Sequence, residues 1–418
     1  MAEQTKHIGL SLGADICWPI CYEQILKRLD LAIPHEGDTL RFAVERVTIE
    51  PYDLRQPCKY NIVLDRLTHW YHTSREWIKK AVMMDDLYVL NNPWAVQSME
   101  KQTSYCALMR MGFPIPDTWM IPPKSYDRES NDLDPTLRRY ARLFDLGTLG
   151  KEVGYPHFMK PYDGGGWRGV TRIKNEEDLR KSYDDSGKSI MHLQAAVEPH
   201  DAFIRCIGLG PQVHMVNYNP GAPLHERYVE GPSGLSQKDL DKLRKITLVI
   251  NSFFVWDFNS CECLRQEGEW IPIDFANPCP DSQVTSLNWH FPWLIMANIR
   301  WSVFVAATNR AMRQNQNWRP FFDIAELPDL SYEERLERYA ELAETHFETD
   351  RFREFCHNHL GHLEEVTVAF FGTGIAKDAI NQKVAALFPQ REVDQFTDYF
   401  WEKIQAWRQF ASSNPGSV

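Results

Sequence analysis

The chain has 418 residues, 43% of them hydrophobic and 25% charged, which is room for two to three globular domains and unlike a disordered composition. Its formal net charge of -11 argues against nucleic acid as a partner, since phosphate backbones are bound by basic surface. Nine cysteines, odd in number and without a CxxC pair, imply neither a disulfide framework nor a zinc site and fit free thiols in a reducing cytoplasm.

Residues 1–19 hold one short apolar run, broken by Asp15 and without a basic lead, so they do not read as a signal peptide. His7 to Leu12 predicts a strand ending at Gly13, followed by a loop containing Asp15 and a helical pattern from Glu23 to Leu29. Phe42 to Ile49 and Tyr60 to Leu64 predict two more strands, giving a small α/β domain over residues 1–95 whose loops after the strands face a ligand. Lys101 to Met111 has helical spacing and stops before the breakers Gly112, Pro114 and Pro116, and residues 122–134 read as a surface loop.

His157 to Lys160 predicts a strand running into KPYDGGGWRGV, with another at Val170 to Ile173. Asn175 followed by Asp178 is a capping-box type of start for the helix carrying Leu179 and Tyr183. Strands follow at Ile190 to Val197 and Ala202 to Gly208. Ser236 and Asp239 open a helix with an apolar stripe at Leu240, Leu243, Ile246 and Ile250. Ser260 to Arg265 and Trp270 to Phe275 form a hairpin pattern around the turn Gln266 to Glu269. Beyond residue 285 the pattern is mostly helical, at Tyr332 to Thr345, Arg351 to Asn358, Ala376 to Phe388 and Val393 to Phe410. Phe291 to Thr308 is apolar but interrupted by Asn298 and Arg300, which predicts a buried helix and no membrane span.

Two places carry chemistry. Gly164, Gly165 and Gly166, preceded by Lys160 and followed by Arg168, let backbone N–H groups approach an anion with cationic side chains at hand. A flexible hairpin tip is the other reading; no lysine-serine or lysine-threonine run follows, so this is not a Walker A loop. Glu262 and Asp274, on the two strands of the later hairpin, and Asn277 offer hard oxygen ligands suited to magnesium, or are ordinary polar residues of a strand face.

In order and spacing, YVLNNPWAVQSMEK, GFPIPDTW, PHFMKPYDGGGWRGV, LQAAVEPHDAFIRCIGLG and CECLRQEGEWIPIDFANPCPD resemble the ATP-grasp superfamily, between residues 89 and 281. That superfamily includes D-alanine-D-alanine ligase, glutathione synthetase and the ligases that add glutamate to a ribosomal protein. The resemblance implies an α/β fold of three ATP-grasp subdomains with a helical C-terminal extension, divided as 1–95, 96–190, 191–290 and 291–418. It implies a C–N ligase that uses ATP and magnesium, activates a carboxylate as an acyl phosphate, joins it to an amine and releases ADP and phosphate.

Residue by residue, the resemblance makes Lys101 and Lys160 the ATP-binding lysines and Gly164, Gly165 and Gly166 the loop over the phosphates. It makes Gln194, Ala195, Ala196 and Val197 the adenine hinge and Asp201, with Glu198 as competitor, the ribose carboxylate. Glu262, Asp274 and Asn277 become the metal set, although many members have the last two one residue apart, whereas Phe275 and Ala276 intervene here. Arg205 and Arg168 are candidates to stabilise developing charge or hold a carboxylate, or are surface ion-pair partners. Asp15 fits an amine-binding carboxylate or a turn former, and Asp65 and Arg66 line a cleft or pair with each other. Trp289, His290 and Trp293 are a substrate wall or core, and Cys261 and Cys263 point into packing. His357, His359, His362 and Cys356 match no strong zinc pattern. The expected partners are small carboxylate and amine substrates, amino acids or peptides, with no nucleic acid and no membrane; a homo-oligomer is compatible with the sequence. A small-molecule kinase and a nucleotide-binding regulatory protein without turnover are the rival functions.

Overall fold

The computed structural model describes residues 2–13, 15–48, 50–67, 71–96, 100–126, 133–162, 164 and 167–416. It forms two compact units, each assembled from separate stretches of chain. One comprises Met1–Ser98, Phe203–Cys261 and Pro278–Val418, the other Met99–Ala202 and Glu262–Asn277.

The first unit opens with strands β1 (Glu3–Ser11), β2 (Ile33–His35), β3 (Asp38–Arg46), β4 (Ile62–Asp65) and β5 (Tyr88–Leu90) in the order β2-β3-β1-β4-β5. All pairings are parallel except the β2–β3 hairpin. Ile8, Leu10, Val63 and Leu64 are all buried, the pattern of a parallel sheet covered on both faces. The helix Phe291–Thr308 packs against β1, β4 and the helix Cys17–Leu29, burying every residue but Arg300 and Thr308. Its polar side chains satisfy themselves on the helix's own carbonyls, Asn298 Nδ2 donating to Leu294 O at 2.9 Å and Ser302 Oγ to Asn298 O at 2.6 Å. A continuous apolar helix thereby becomes a core element, and no helix among the described residues is long and apolar enough to cross a membrane. The helices Tyr332–Phe347, Thr349–His359, Leu363–Phe370, Gly374–Ala385 and Val393–Ser413 complete a helical C-terminal region in this same unit.

The second unit holds β6 (Thr118–Ile121), β7 (His157–Pro161), β8 (Thr171–Ile173) and β9 (Met191–Ala195), an antiparallel sheet in the order β6-β9-β7-β8. Strand alternation sorts its two faces. Ile121, Met159, Ile173, Met191 and Leu193 enter a core with Leu146, Val153, Leu179 and Tyr183 from the helices Leu146–Val153 and Glu176–Ser186. Lys160, His192 and Gln194, at the alternate positions, are left for the other face and are buried there too. Asp145 caps the first of these helices by accepting from Gly147 N and Thr148 N, each at 3.2 Å. The capping box expected at Asn175 is offset by one residue. Asn175 accepts from Asp178 N at 2.9 Å, but the Asp178 carboxylate reaches back to Lys174 N at 3.1 Å.

Strands β10 (Ala202–Leu209) and β11 (Gln212–Asn217) form a hairpin turned at Gly210. Gly210 has φ +56°, and an added Cβ would lie 2.5 Å from the buried indole of Trp301. Gly210→Ala is therefore expected to destabilise the protein by about 3 kcal/mol, combining left-handed strain with overpacking. A urea titration giving an unchanged midpoint would contradict this.

Strands β12 (Phe258–Gln266) and β13 (Glu269–Asp274) pair antiparallel, with Glu262 opposite Asp274 and a register shift between Glu262 and Cys263. Phe258–Cys261 belongs to the first unit and the rest of the hairpin to the second. Asn91 fixes the first-unit end: its Nδ2 donates to Phe258 O at 2.7 Å and Pro278 O at 2.6 Å, and its Oδ1 accepts from Phe258 N at 2.7 Å. One buried amide thus anchors the chain on both sides of the hairpin.

Candidate functional site

Of the site residues expected from the sequence, the second unit gathers Lys101, Lys160, Gln194, Glu262, Asp274 and Asn277 at the non-core face of its sheet. Lys101 begins the helix Lys101–Arg110, whose first backbone N–H donates to Tyr162 O at 3.1 Å. Its Nζ lies 2.5 Å from Asp274 Oδ2. Lys160 on β7 donates to Gln194 Oε1 at 2.7 Å and to Ile273 O at 3.1 Å, with its ammonium 5.2 Å from the centroid of the Tyr105 ring. Gln194 is oriented in turn by donating to Thr118 Oγ1 at 2.8 Å. Tyr105 donates to Ile273 O at 3.0 Å and meets Phe275 edge-on at 5.4 Å.

Both lysines are buried, at 5% and 7% exposure, in a chain of net negative charge. Burial pulls Lys160 down to about 8, opposed by the Asp274 carboxylate and reinforced by Lys101. Tyr105 is pushed well above its usual value by burial and by Asp274. The same pressure acts on His192, which lies opposite Lys160 on β9 and is lowered to about 4 by burial, Lys160 and Lys101. Neither ring nitrogen of His192 finds a partner among the described residues. Glu262 is buried, and Asn277 Nδ2 donates to Asp274 Oδ1 at 3.2 Å, so the two intervening residues do not separate Asn277 from Asp274.

Tyr105, His192 and Thr118 are members of this cluster that the sequence reading did not single out. The alternation in MHLQA, polar at His192 and Gln194 between Met191 and Leu193, was the available signal.

Around this cluster the other expected residues are less closely engaged. Gly164 is exposed with φ +90° and open space where a Cβ would sit, while Gly165 and Gly166 lie outside the described residues. Arg168 is exposed in the turn that follows. In the hinge, the Ala195 N–H already donates to Asp117 O at 2.9 Å and the Ala196 N–H to Pro156 O at 3.3 Å, and Val197 is buried. Asp201 pairs with Arg265 at 2.9 Å and Glu198 with Arg172 at 2.6 Å, all largely at the surface.

The chemistry of the donor set fits magnesium. Glu262 and Asp274 supply two carboxylates from facing strand positions, and Asn277 adds an amide, all hard oxygen donors. Among the described residues no group of three or more His, Cys, Asp and Glu side chains comes together, so His357, His359, His362 and Cys356 form no such cluster.

In the first unit, Arg205 on β10 lies against a pair of aromatic rings that meet edge-on, 5.4 Å from the centroid of Tyr218 and 5.5 Å from that of Tyr228. Its guanidinium donates to Ser260 Oγ at 3.4 Å, two residues before Glu262 along β12. Arg66 pairs with Asp15 at 2.6 Å and not with Asp65, which accepts from Ser11 Oγ at 2.9 Å. Gln283 Nε2 also donates to Asp15, whose carboxyl is raised by burial against the pull of Arg66 and Lys383. Asp15 is thus held by side chains of its own unit. Trp289, His290 and Trp293 are buried, as are Cys261 and Cys263.

No protein-family model matches the chain, and no curated protein sequence matches it. Among solved structures it is similar to a D-alanine–D-alanine ligase from Bacillus anthracis complexed with ATP, at 12% identity and a TM-score of 0.43, covering 84% of this chain and 100% of that one. It is also similar to a RimK-domain ATP-grasp protein from Sphaerobacter thermophilus, at 11% identity and a TM-score of 0.43, covering 66% of this chain and 92% of that one.

Proposed function

We propose that the chain is an ATP- and magnesium-dependent carboxylate–amine ligase of the ATP-grasp kind. The observation that carries this reading is the burial of Lys101 and Lys160 beside Glu262, Asp274 and Asn277 in one unit of an acidic protein. Two cations concentrated against a carboxylate pair match the needs of a polyanionic nucleotide.

Phosphoryl transfer to a carboxylate demands charge neutralisation and alignment more than covalent help. Lys160, held by Gln194 and the Ile273 carbonyl, and Lys101, held by Asp274, bind and orient the phosphates. The glycine loop from Gly164 supplies backbone amides over them. Magnesium, held by Glu262, Asp274 and Asn277, would neutralise phosphate charge and align the nucleotide. Arg205, with its guanidinium braced by two tyrosines, holds the carboxylate substrate and stabilises charge developing on it. The acyl phosphate then meets an amine, the C–N bond forms, and phosphate departs. Hinge residues Gln194 to Val197 face the adenine, and Asp201 or Glu198 takes the ribose after releasing its arginine partner.

A coupled assay for ADP and free phosphate, with ATP, magnesium and pools of amino acids, dipeptides and other carboxylates, tests the reading. Pool-dependent release of both, together with a condensed product by mass spectrometry, is the expected result. ADP with a phosphorylated product and no free phosphate would replace ligation by phosphoryl transfer. In the same assay Glu262→Gln is expected to raise the magnesium concentration needed for half-maximal rate by about tenfold or more. An unaltered magnesium titration would remove Glu262 from the metal set.

A further inference from the structure

The lysine and carboxylate cluster of the second unit contains one buried group that the steps above leave unused. His192 is 1% exposed, and neither of its ring nitrogens has a hydrogen-bond partner among the described residues. Buried polar atoms are nearly always paired, and each orphan works against the fold. Two orphans on one ring, in the middle of a strand and beside two buried cations, mark a group held for a ligand.

Its place in the sheet says which part of a nucleotide it would meet. His192 stands opposite Lys160 in the β7–β9 pairing, and Gln194 stands opposite Phe158. Passing along β9 from Gln194 to His192 leads away from the hinge at Ala195 to Val197 and toward Pro161, where β7 runs into the glycine loop. The helix Lys101–Arg110 starts at that same end, with its first N–H on Tyr162 O. His192 therefore lies on the non-core face at the phosphate end of the sheet, not at the adenine end.

The neighbours leave the imidazole a free donor. The Tyr105 ring meets it edge-on, with centroids 5.8 Å apart and 78° between planes, while the Tyr105 hydroxyl is committed to Ile273 O at 3.0 Å. Lys160 gives two of its three donors to Gln194 Oε1 and Ile273 O. Burial, then Lys160 and Lys101, lowers His192 to about 4, so at neutral pH the ring carries one N–H and one lone pair. Two ammonium groups disfavour a third charge beside them but not a neutral donor. Glu262 and Asp274 bear on Lys160 and complete the charged surroundings.

We infer that His192 is a phosphate ligand of the nucleotide site, its ring N–H donating to an oxygen of the phosphoryl chain of a nucleoside di- or triphosphate. The inference rests on the nucleotide reading above. In the unliganded chain the ring is closed over, as both lysines are. The anion that draws Lys101 away from Asp274 reaches His192 in the same movement, and binding gives the orphaned N–H its partner.

The test is a calorimetric titration of the full chain, in magnesium, with AMP-PNP, ADP and adenosine in turn. His192→Leu, which keeps a side chain of similar size and removes both nitrogens, is expected to weaken AMP-PNP and ADP about tenfold or more and to leave adenosine unchanged. His192→Gln, which restores an N–H donor, should recover most of that loss. Without nucleotide, His192→Leu should unfold at a higher urea concentration than the wild type, because the orphaned nitrogens are gone. Wild-type affinity for AMP-PNP in His192→Leu, or equal weakening of adenosine, would overturn the inference. So would a lowered urea midpoint, which would make His192 a residue that serves the fold. Should the variant fail to fold, the wild type decides: with ¹⁵N-labelled histidine, the His192 ring signals should shift on saturation with AMP-PNP and stay in place with adenosine. Signals unmoved by AMP-PNP would overturn the assignment. A wild type that binds none of the three would instead count against the nucleotide reading.

Discussion

Replacing Lys160 with methionine is expected to cut ATP-dependent turnover by about 100-fold or more while changing global stability by only about 1–2 kcal/mol. Two opposing effects produce the small stability change. Burial lowers the ammonium from 10.5 to about 8, so keeping it charged at neutral pH costs about 3 kcal/mol, which methionine relieves. Against this, Gln194 Oε1 loses its lysine donor, at about 1–3 kcal/mol, whereas Ile273 O keeps the Tyr105 hydroxyl. Catalysis has no such offset, because methionine brings no charge to the phosphates.

The pH dependence has a definite sign. The folded pKa lies below the unfolded one, so between about pH 8 and 10.5 the unfolded chain binds more protons at this position. The wild type should therefore gain stability relative to Lys160→Met as pH rises through that window, while nucleotide affinity weakens above about pH 8 as the ammonium loses its proton. Urea titrations and nucleotide-binding titrations at both ends of the window, with ADP release at neutral pH, measure all three quantities. Unchanged turnover would remove Lys160 from the nucleotide site.

Asp274→Asn should lose stability as well as activity. The substitution keeps an oxygen for Asn277 to donate to, but leaves the Lys101 ammonium, 6% exposed, beside a neutral amide. Breaking a fully buried ion pair costs about 3–5 kcal/mol; because Asp274 is 23% exposed, about 3 kcal/mol is expected, with turnover abolished. The double variant Lys101→Met/Asp274→Asn should recover most of the stability and none of the turnover, since the stranded charge is gone but so are the phosphate ligand and the carboxylate. If Asp274→Asn alone unfolds at the wild-type urea concentration, Lys101 does not depend on that carboxylate.

What the sequence made legible was mainly local. Phe291 to Thr308 emerged as one buried helix with the expected ends, and the pattern from Lys101 to Met111 became the helix Lys101–Arg110, because a continuous apolar run and a clear pair of breakers are readable within a single window. Where no buried face exists the reading failed. The helix Leu133–Tyr140, with no buried residue, overlaps the end of the stretch read as a loop. Strand β11, alternating only between partly exposed positions until Val216, was not read as a strand at all.

The candidate site behaves in the same way. Lys160 stood out beside the triple glycine, and Glu262 and Asp274 on their hairpin, whereas Lys101 was singled out through the resemblance alone; no local pattern says that Lys101 meets a carboxylate 173 residues away. Tyr105 looks like any apolar position of its helix, and its contact with the Ile273 carbonyl exists only once β13 is in place.

The second unit's discontinuity sets a timetable for biosynthesis. Lys101 and Lys160 leave the ribosome long before the segment Glu262–Asn277 that completes their unit. With 173 residues between Lys101 and Asp274, synthesis at about 5–20 residues per second leaves a gap of roughly 10–35 s. Through that interval the nascent sheet β6-β9-β7-β8 can bury Met159, Leu193 and their neighbours, while the two ammonium groups stay hydrated for want of a counter-charge. The lysine-bearing side is thus the last part of its unit to become dry, and a chain stalled before residue 262 would present a folded apolar core under a wet, cationic surface.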